Sequence, residues 1–87
     1  MKGRELVAWN LRRLRVARGL SQERLAYDAG VDRSYVGGLE RRKENPTVDV
    51  LDRLAATLSV SLVELFRQPR RNARPPQPLR SGRRPSQ

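Results

Sequence analysis

Arg33, Ser34, Gly37, Gly38 and Arg41 fall at i, i+1, i+4, i+5 and i+8. On a helix that spacing gathers them on one face, with two guanidiniums and no apolar side chain. Such a face suits the major groove of duplex DNA, where hydrogen-bond donors and acceptors line the base edges. Other chemistries lack their residues. The chain has no histidine and no cysteine, which removes disulfides, thiol chemistry, Cys/His metal centres and a histidine general base. Asp49 and Asp52 make no acid pair beside a pocket and sit where a helix N-terminus welcomes negative charge. No catalytic residue, metal or cofactor is expected, and an enzyme is not.

The elements that must position this face are all helical. Val7, Leu11 and Leu14 share a stripe at helical spacing, predicting a helix over about residues 4–18 that Gly19 closes. Ser21 is placed to cap a short second helix, with Gly30 supplying the turn after it. Asp32 is placed to cap a third that ends near Arg41, with Val36 and Leu39 facing inward. Residues 42–46 read as a charged loop. Thr47 caps a fourth helix through Leu58, with Val50, Leu51, Leu54 and Leu58 as its apolar side. Ser61 and Glu64 have capping-box spacing ahead of a last short helix, Leu62–Phe66. The expected fold is a compact all-α domain of five short helices.

A window starting at Gln22 ties this architecture to the face. Apolar Leu25, Ala29, Val31, Val36 and Leu39 pin two short helices to the domain. Ala26 is small where the second helix would cross close to the first, and Gly30 accepts the positive φ of the turn.

Charge divides the chain in two. Of 87 residues, 19 are Lys or Arg and 9 are Asp or Glu, a net charge of +10 that calls for a polyanionic partner. Residues 67–87 hold seven arginines, five prolines and no acid, so +7 of the total lies there. This basic Pro/Arg-rich tail, with only Ala73 and Leu79 apolar, is expected to be disordered or loosely attached. Residues 1–66 form the domain. No apolar run is long enough to span a membrane and no signal peptide stands at the N-terminus, so a soluble cytoplasmic protein associated with the nucleoid, without a membrane partner, is expected.

Residues 11–15 (Leu-Arg-Arg-Leu-Arg), Gly19-Leu20-Ser21-Gln22, Leu25-Ala26, Ala29-Gly30-Val31, Tyr35-Val36, Leu39-Glu40-Arg41, Asn45-Pro46-Thr47 and Leu54-Ala55 together resemble the Xre-type helix-turn-helix regulators, which include phage repressors and Cro. The likeness runs from about Val7 to Phe66. It implies a repressor-like five-helix fold and a homodimer that reads a near-palindromic operator as a repressor or autoregulator. It further implies that Gln22, helped by Ser21 and the helix amides, holds a phosphate. Arg33 and Ser34 match positions that read base edges, Arg33 pairing with guanine O6 and N7. Arg41, Arg42, Lys43 and Asn45 fall in the segment that lies along the phosphates. Arg15 and Glu40 match an internal ion pair.

Two positions depart from the family pattern. Gly38 stands where relatives often carry a polar base reader, which leaves Gly37 and Gly38 only close backbone approach. Arg42 stands where the family usually has the glycine that ends the recognition helix, so a different helix end is expected. Tyr35 is read as packing with a wet hydroxyl, or else as a phosphate ligand. Trp9 lies opposite the Val7/Leu11/Leu14 stripe and either packs on the last helix or tail or marks a protein interface. Leu62, Val63, Leu65 and Phe66 either close the core or pair two subunits. The tail either tracks phosphates, folds on a protein partner or has no partner. Two rival functions are an antitoxin that also represses its operon and a non-specific RNA or DNA binder driven by the tail.

Overall fold

The computed structural model describes residues 1–78 of the chain. Four α-helices, α1 (Gly3–Ala17), α2 (Gln22–Ala29), α3 (Arg33–Glu40) and α4 (Val48–Thr57), are followed by a 3₁₀ helix, Leu62–Phe66. Among the described residues there is no strand. The fifth helical element is thus present as a single 3₁₀ segment rather than an α-helix. Five residues are too few to establish an α ladder. Ser61 makes no side-chain cap, and Glu64 does not complete the expected box because its carboxylate is turned to Arg67 at 2.9 Å and Arg13 at 3.7 Å.

The helix starts follow local chemistry. Ser21 Oγ accepts from the Arg24 amide at 2.9 Å, and Thr47 Oγ1 accepts from the Val50 amide at 3.1 Å. The helix ends share one device. After α1 the amides of Gly19 and Leu20 return to the carbonyls of Val16 and Arg15; after α2 those of Gly30 and Val31 return to Tyr27 and Ala26. After α3 the same pair runs from Arg42 and Lys43 to Leu39 and Gly38, and after α4 from Ser59 and Val60 to Ala56 and Ala55. All four are paired returns of the Schellman kind, which need a left-handed residue. Gly19 and Gly30 supply it at φ 69° and 71°, whereas Arg42 and Ser59 are forced to φ 65° and 58°. The expectation of a different end for α3 is therefore corrected: Arg42 adopts the glycine conformation, and the doubly bonded turn offsets its strain.

The core fills the space between the helices with Val7, Leu11 and Leu14 of α1, Leu25, Ala26 and Ala29 of α2, Val36 and Leu39 of α3, and Leu51, Leu54 and Leu58 around α4. Leu65 closes it from the 3₁₀ helix and is itself fully buried. Ala26 is 2% exposed, as a close crossing of α2 and α3 requires.

One buried polar residue has no precedent in the hydrophobic pattern. Asn10 on α1 is 0% exposed. Its Nδ2 donates to the carbonyls of Leu6, Leu65 and Arg67 at 3.0, 3.1 and 2.8 Å. Its Oδ1 accepts from Arg13 at 3.2 and 3.0 Å. The start of the tail is thus pinned to α1 rather than loose. The expected disorder of residues 79–87, Leu79 among them, lies outside the described residues.

The left-handed serine sets a stability test. Ser59→Gly removes a Cβ penalty of about 1–2 kcal/mol and adds a smaller unfolded-state entropy cost, so the net expectation is a gain of about 0.5–1 kcal/mol. Urea unfolding followed by circular dichroism would read it as a higher midpoint at an unchanged slope; a lower midpoint would contradict the strain.

Candidate nucleic-acid interface

The interface candidates come from the first turns of α2 and α3 and from the loop after α3. Arg33 and Ser34 are exposed at the N-terminus of α3, the end a recognition helix presents to base edges. Asp32 precedes them but makes no bond to the α3 amides. Instead Ser34 Oγ donates to Asp32 Oδ2 at 3.3 Å, which ties the serine to its neighbour and leaves Arg33 as the longer reach.

The open face does not continue along α3. Gly37 and Gly38 are both buried, contrary to the expectation that they face outward with Arg33 and Arg41. The Arg41 guanidinium lies over Gly37, 3.1 Å from where a Cβ would stand, with Gln22 Oε1 at 3.5 Å. Gly38 is covered by Glu44 of the following loop, whose carboxylate oxygen lies 2.7 Å and Cγ 2.8 Å from a notional Cβ. Gly38 is thus the space into which a loop side chain folds, and its small size serves packing at the end of α3. Glu44 belongs to the stretch that reads as a charged loop, and a glycine six residues before it is the only trace of this contact in the sequence.

Behind the face lies a charged network. Arg15 Nε and Nη2 donate to the two carboxylate oxygens of Glu40 at 2.6 and 2.9 Å, with the side chains 9% and 5% exposed. Arg15 Nη1 also donates to the Leu20 carbonyl at 2.8 Å. Gln22 Nε2 donates to Glu40 Oε1 at 3.1 Å, so the residue expected to meet phosphate is held by the same carboxylate. Its Oε1 is turned to Gly37, leaving its amide partly engaged before any ligand arrives. Ser21 is exposed but its hydroxyl oxygen already caps α2.

The flanking loop is a cluster of solvent-facing cations: Arg41, Arg42 and Lys43 are all exposed, with Asn45 beside them. Arg42 reaches Glu5 at 3.6 Å, a pairing open to solvent. Tyr35 is half-buried and packs on the core. Burial, helped by the Glu44 charge, raises its hydroxyl pKa above the usual value, so the phenol stays protonated and able to donate.

The residues singled out for subunit pairing separate. Leu65 is 0% exposed and belongs to the core, so it offers nothing to a partner; this corrects its assignment. Leu62 is partly buried against the same core. Val63 and Phe66 remain outward at 71% and 41% exposure. Trp9 is half-buried and shares two surface hollows with Pro76 of the tail. Among the described residues no acidic cluster could hold a metal ion, and no helix is long and apolar enough to cross a membrane.

A profile of the helix-turn-helix family HTH_3 matches residues 11–65. A hypothetical transcription factor of Neisseria meningitidis is 39% identical over 66 residues, covering 76% of this chain and 62% of its own length. The crystal structure of a hypothetical transcription factor from Neisseria, 38% identical, superposes with a TM-score of 0.76 over 78% of each chain. The restriction-modification controller protein C.AhdI of Aeromonas hydrophila is 46% identical, with a TM-score of 0.70 over 72% of this chain and 96% of that one. The controller C.Esp1396I, 33% identical with a TM-score of 0.69 over 76% of this chain and 87% of that one, has been solved as a tetramer on its natural 35 base-pair operator.

Removing Glu40 tests how far the face depends on the network behind it. Glu40→Ala strands the buried Arg15 guanidinium and should cost about 3–5 kcal/mol, whereas Glu40→Gln, which keeps an acceptor, should cost less. Urea midpoints of the two variants check this ordering; equal and small losses would show that Arg15 finds water instead.

Proposed function

This chain belongs to the helix-turn-helix family HTH_3 of DNA-binding transcription regulators, and from that membership we propose that it binds an operator sequence-specifically, inserting α3 into the major groove. It acts as a homodimer on a near-palindromic site and represses transcription, most simply of its own gene. The observation that carries this reading is Arg33 standing exposed on the first turn of α3, with the exposed cations Arg41–Lys43 following the other end of the same helix.

The division of labour follows from the geometry. Arg33 has the length and paired donors to meet guanine O6 and N7, and Ser34 reads at shorter range. Gly37 permits close approach once Arg41 moves its guanidinium to a phosphate. Gln22, Ser21 and the α2 amides hold the backbone on one side; Arg41, Arg42, Lys43 and Asn45 hold it on the other, with Tyr35 able to donate. Few side chains reach base edges, so part of the specificity rests on DNA shape. Val63 and Phe66, exposed on the 3₁₀ helix, supply an apolar patch for a second copy. The assembly of the related C.Esp1396I on its operator supports a multimeric arrangement of this kind.

Selection from random duplexes at about 150 mM salt, where non-specific phosphate binding is weakened, is the test. An inverted repeat with half-sites about one helical turn apart is expected. Arg33→Ala should then lose about 1–3 kcal/mol of discrimination at one base pair per half-site. Lys43→Ala should weaken all sequences alike. Recovery of no motif would overturn the operator reading.

A further inference from the structure

The tail leaves the 3₁₀ helix against α1. Asn10 fixes its departure by donating to the carbonyls on both sides of Phe66, those of Leu65 and Arg67. From there it runs beside Trp9, Asn10 and Arg13, with Pro69, Arg70, Ala73 and Arg74 lining a shared hollow. Pro75 and Pro76 then meet Trp9 and Arg12 in a second hollow whose other walls include Glu40 and Arg42. The tail thus travels from the last helical turn to the end of α3, arriving beside Glu40 and Arg42.

Three features make this path more than a coil lying on a surface. Asn10 is fully buried, and its amide is committed to the carbonyls of Leu65 and of Arg67, the tail's first residue. Pro76 is half-buried in a stretch, 70–78, whose other residues are exposed. Arg70, Arg71 and Arg74 are exposed, and among the described residues no carboxylate lies within ion-pair distance of them. Their positive charge therefore faces solvent along a route leading to the interface. The tail contains no acid to cancel it.

We propose that this docked segment is a second DNA-contacting element, an arginine arm guided along α1 by Asn10 and Trp9 so that Arg70, Arg71 and Arg74 meet phosphates of the duplex flanking the α3 contact. The proposal rests on the DNA-binding reading above. Its partner is the sugar–phosphate backbone, and the arm carries affinity without sequence information. Docking matters because an arm already laid against the domain has lost part of the freedom that a loose chain surrenders on binding.

The test uses the full chain and the dependence of affinity on salt. Each phosphate contact contributes about 0.9 to the slope of log K against log salt, so Arg70→Gln/Arg71→Gln/Arg74→Gln should lower its magnitude by about 2–3. Hydroxyl-radical footprints should shorten at the flanks while protection under α3 persists. Pro76→Ser, a surface change that leaves every arginine in place, separates a guided arm from a loose polycation. Trp9 is the chain's only tryptophan, and its emission should shift to the red as the proline leaves it, together with a smaller salt slope. An unchanged slope in the triple variant overturns the arm. Unchanged emission in Pro76→Ser, or undocking without any change of slope, overturns the guidance. If the wild-type chain selects no sequence yet the triple variant still loses slope on random duplexes, the operator reading fails and the phosphate-binding arm stands.

Discussion

The contact between Arg15 and Glu40 joins elements that the chain otherwise keeps apart. Arg15 lies near the end of α1, Glu40 closes α3, and the pair is bidentate with both side chains nearly out of water. Glu40 passes the connection to Gln22 at the start of α2, and Arg15 passes it to the Leu20 carbonyl between α1 and α2. Three helices are thereby set against one carboxylate. The net stabilisation from such a pair is modest once desolvation is counted, but removing one partner is expensive because the other remains buried and charged. What the pair secures is geometry: the angle at which α3 leaves the domain and the position of the α2 terminus beside it. The proposed insertion of α3 into a groove needs that precision, since a misplaced Arg33 would lose the paired geometry proposed for guanine.

The ends of the helices show how much could be read beforehand. Gly19 and Gly30 announce their turns because glycine is the residue that tolerates positive φ. Arg42 and Ser59 occupy the same conformation without announcing it. Nothing local predicts this; the two returning amides and the packing of the following residues impose it, a tertiary constraint overriding a residue preference. The starts of α2 and α4 were legible for a related reason, since Ser21 and Thr47 act through their own neighbours. The sequence marks the position of the last helical segment, Leu62–Phe66, but its capping-box spacing does not predict that it is a 3₁₀ turn without a side-chain cap. Its acid serves Arg13 and Arg67, and Arg13 lies some fifty residues away in sequence.

The same distinction governs the candidate site. Helical spacing placed Arg33, Ser34 and Arg41 on the surface of α3. It failed for Gly37 and Gly38, because a helical wheel assigns each residue a direction but does not know what the rest of the chain lays across it. Here the covering groups are the Arg41 guanidinium and the Glu44 side chain. Gly38 then acquires a physical reason that base readout did not provide. Any side chain there would collide with Glu44 at Cγ, not only at its mobile carboxylate. The helix accepts two poor helix formers in sequence, each costing on the order of 1 kcal/mol relative to alanine, and in return the loop closes tightly on its last turn.

Asn10 carries this reasoning to the tail. A buried amide in a core-facing helix is costly unless its hydrogen bonds are met. Asn10 meets them with carbonyls that belong to the last helical turn and to the first residue of the basic segment. A leucine at that position would bury more apolar surface and leave those carbonyls without their donor. The asparagine therefore trades hydrophobic gain for direction: it fixes where the chain emerges and toward which edge of the domain it can run. Composition alone described residues 67–87 as too polar and too charged to fold, which is sound for a segment in isolation. It could not show that one buried side chain on a helix more than fifty residues earlier in the sequence would give the first part of that segment a path.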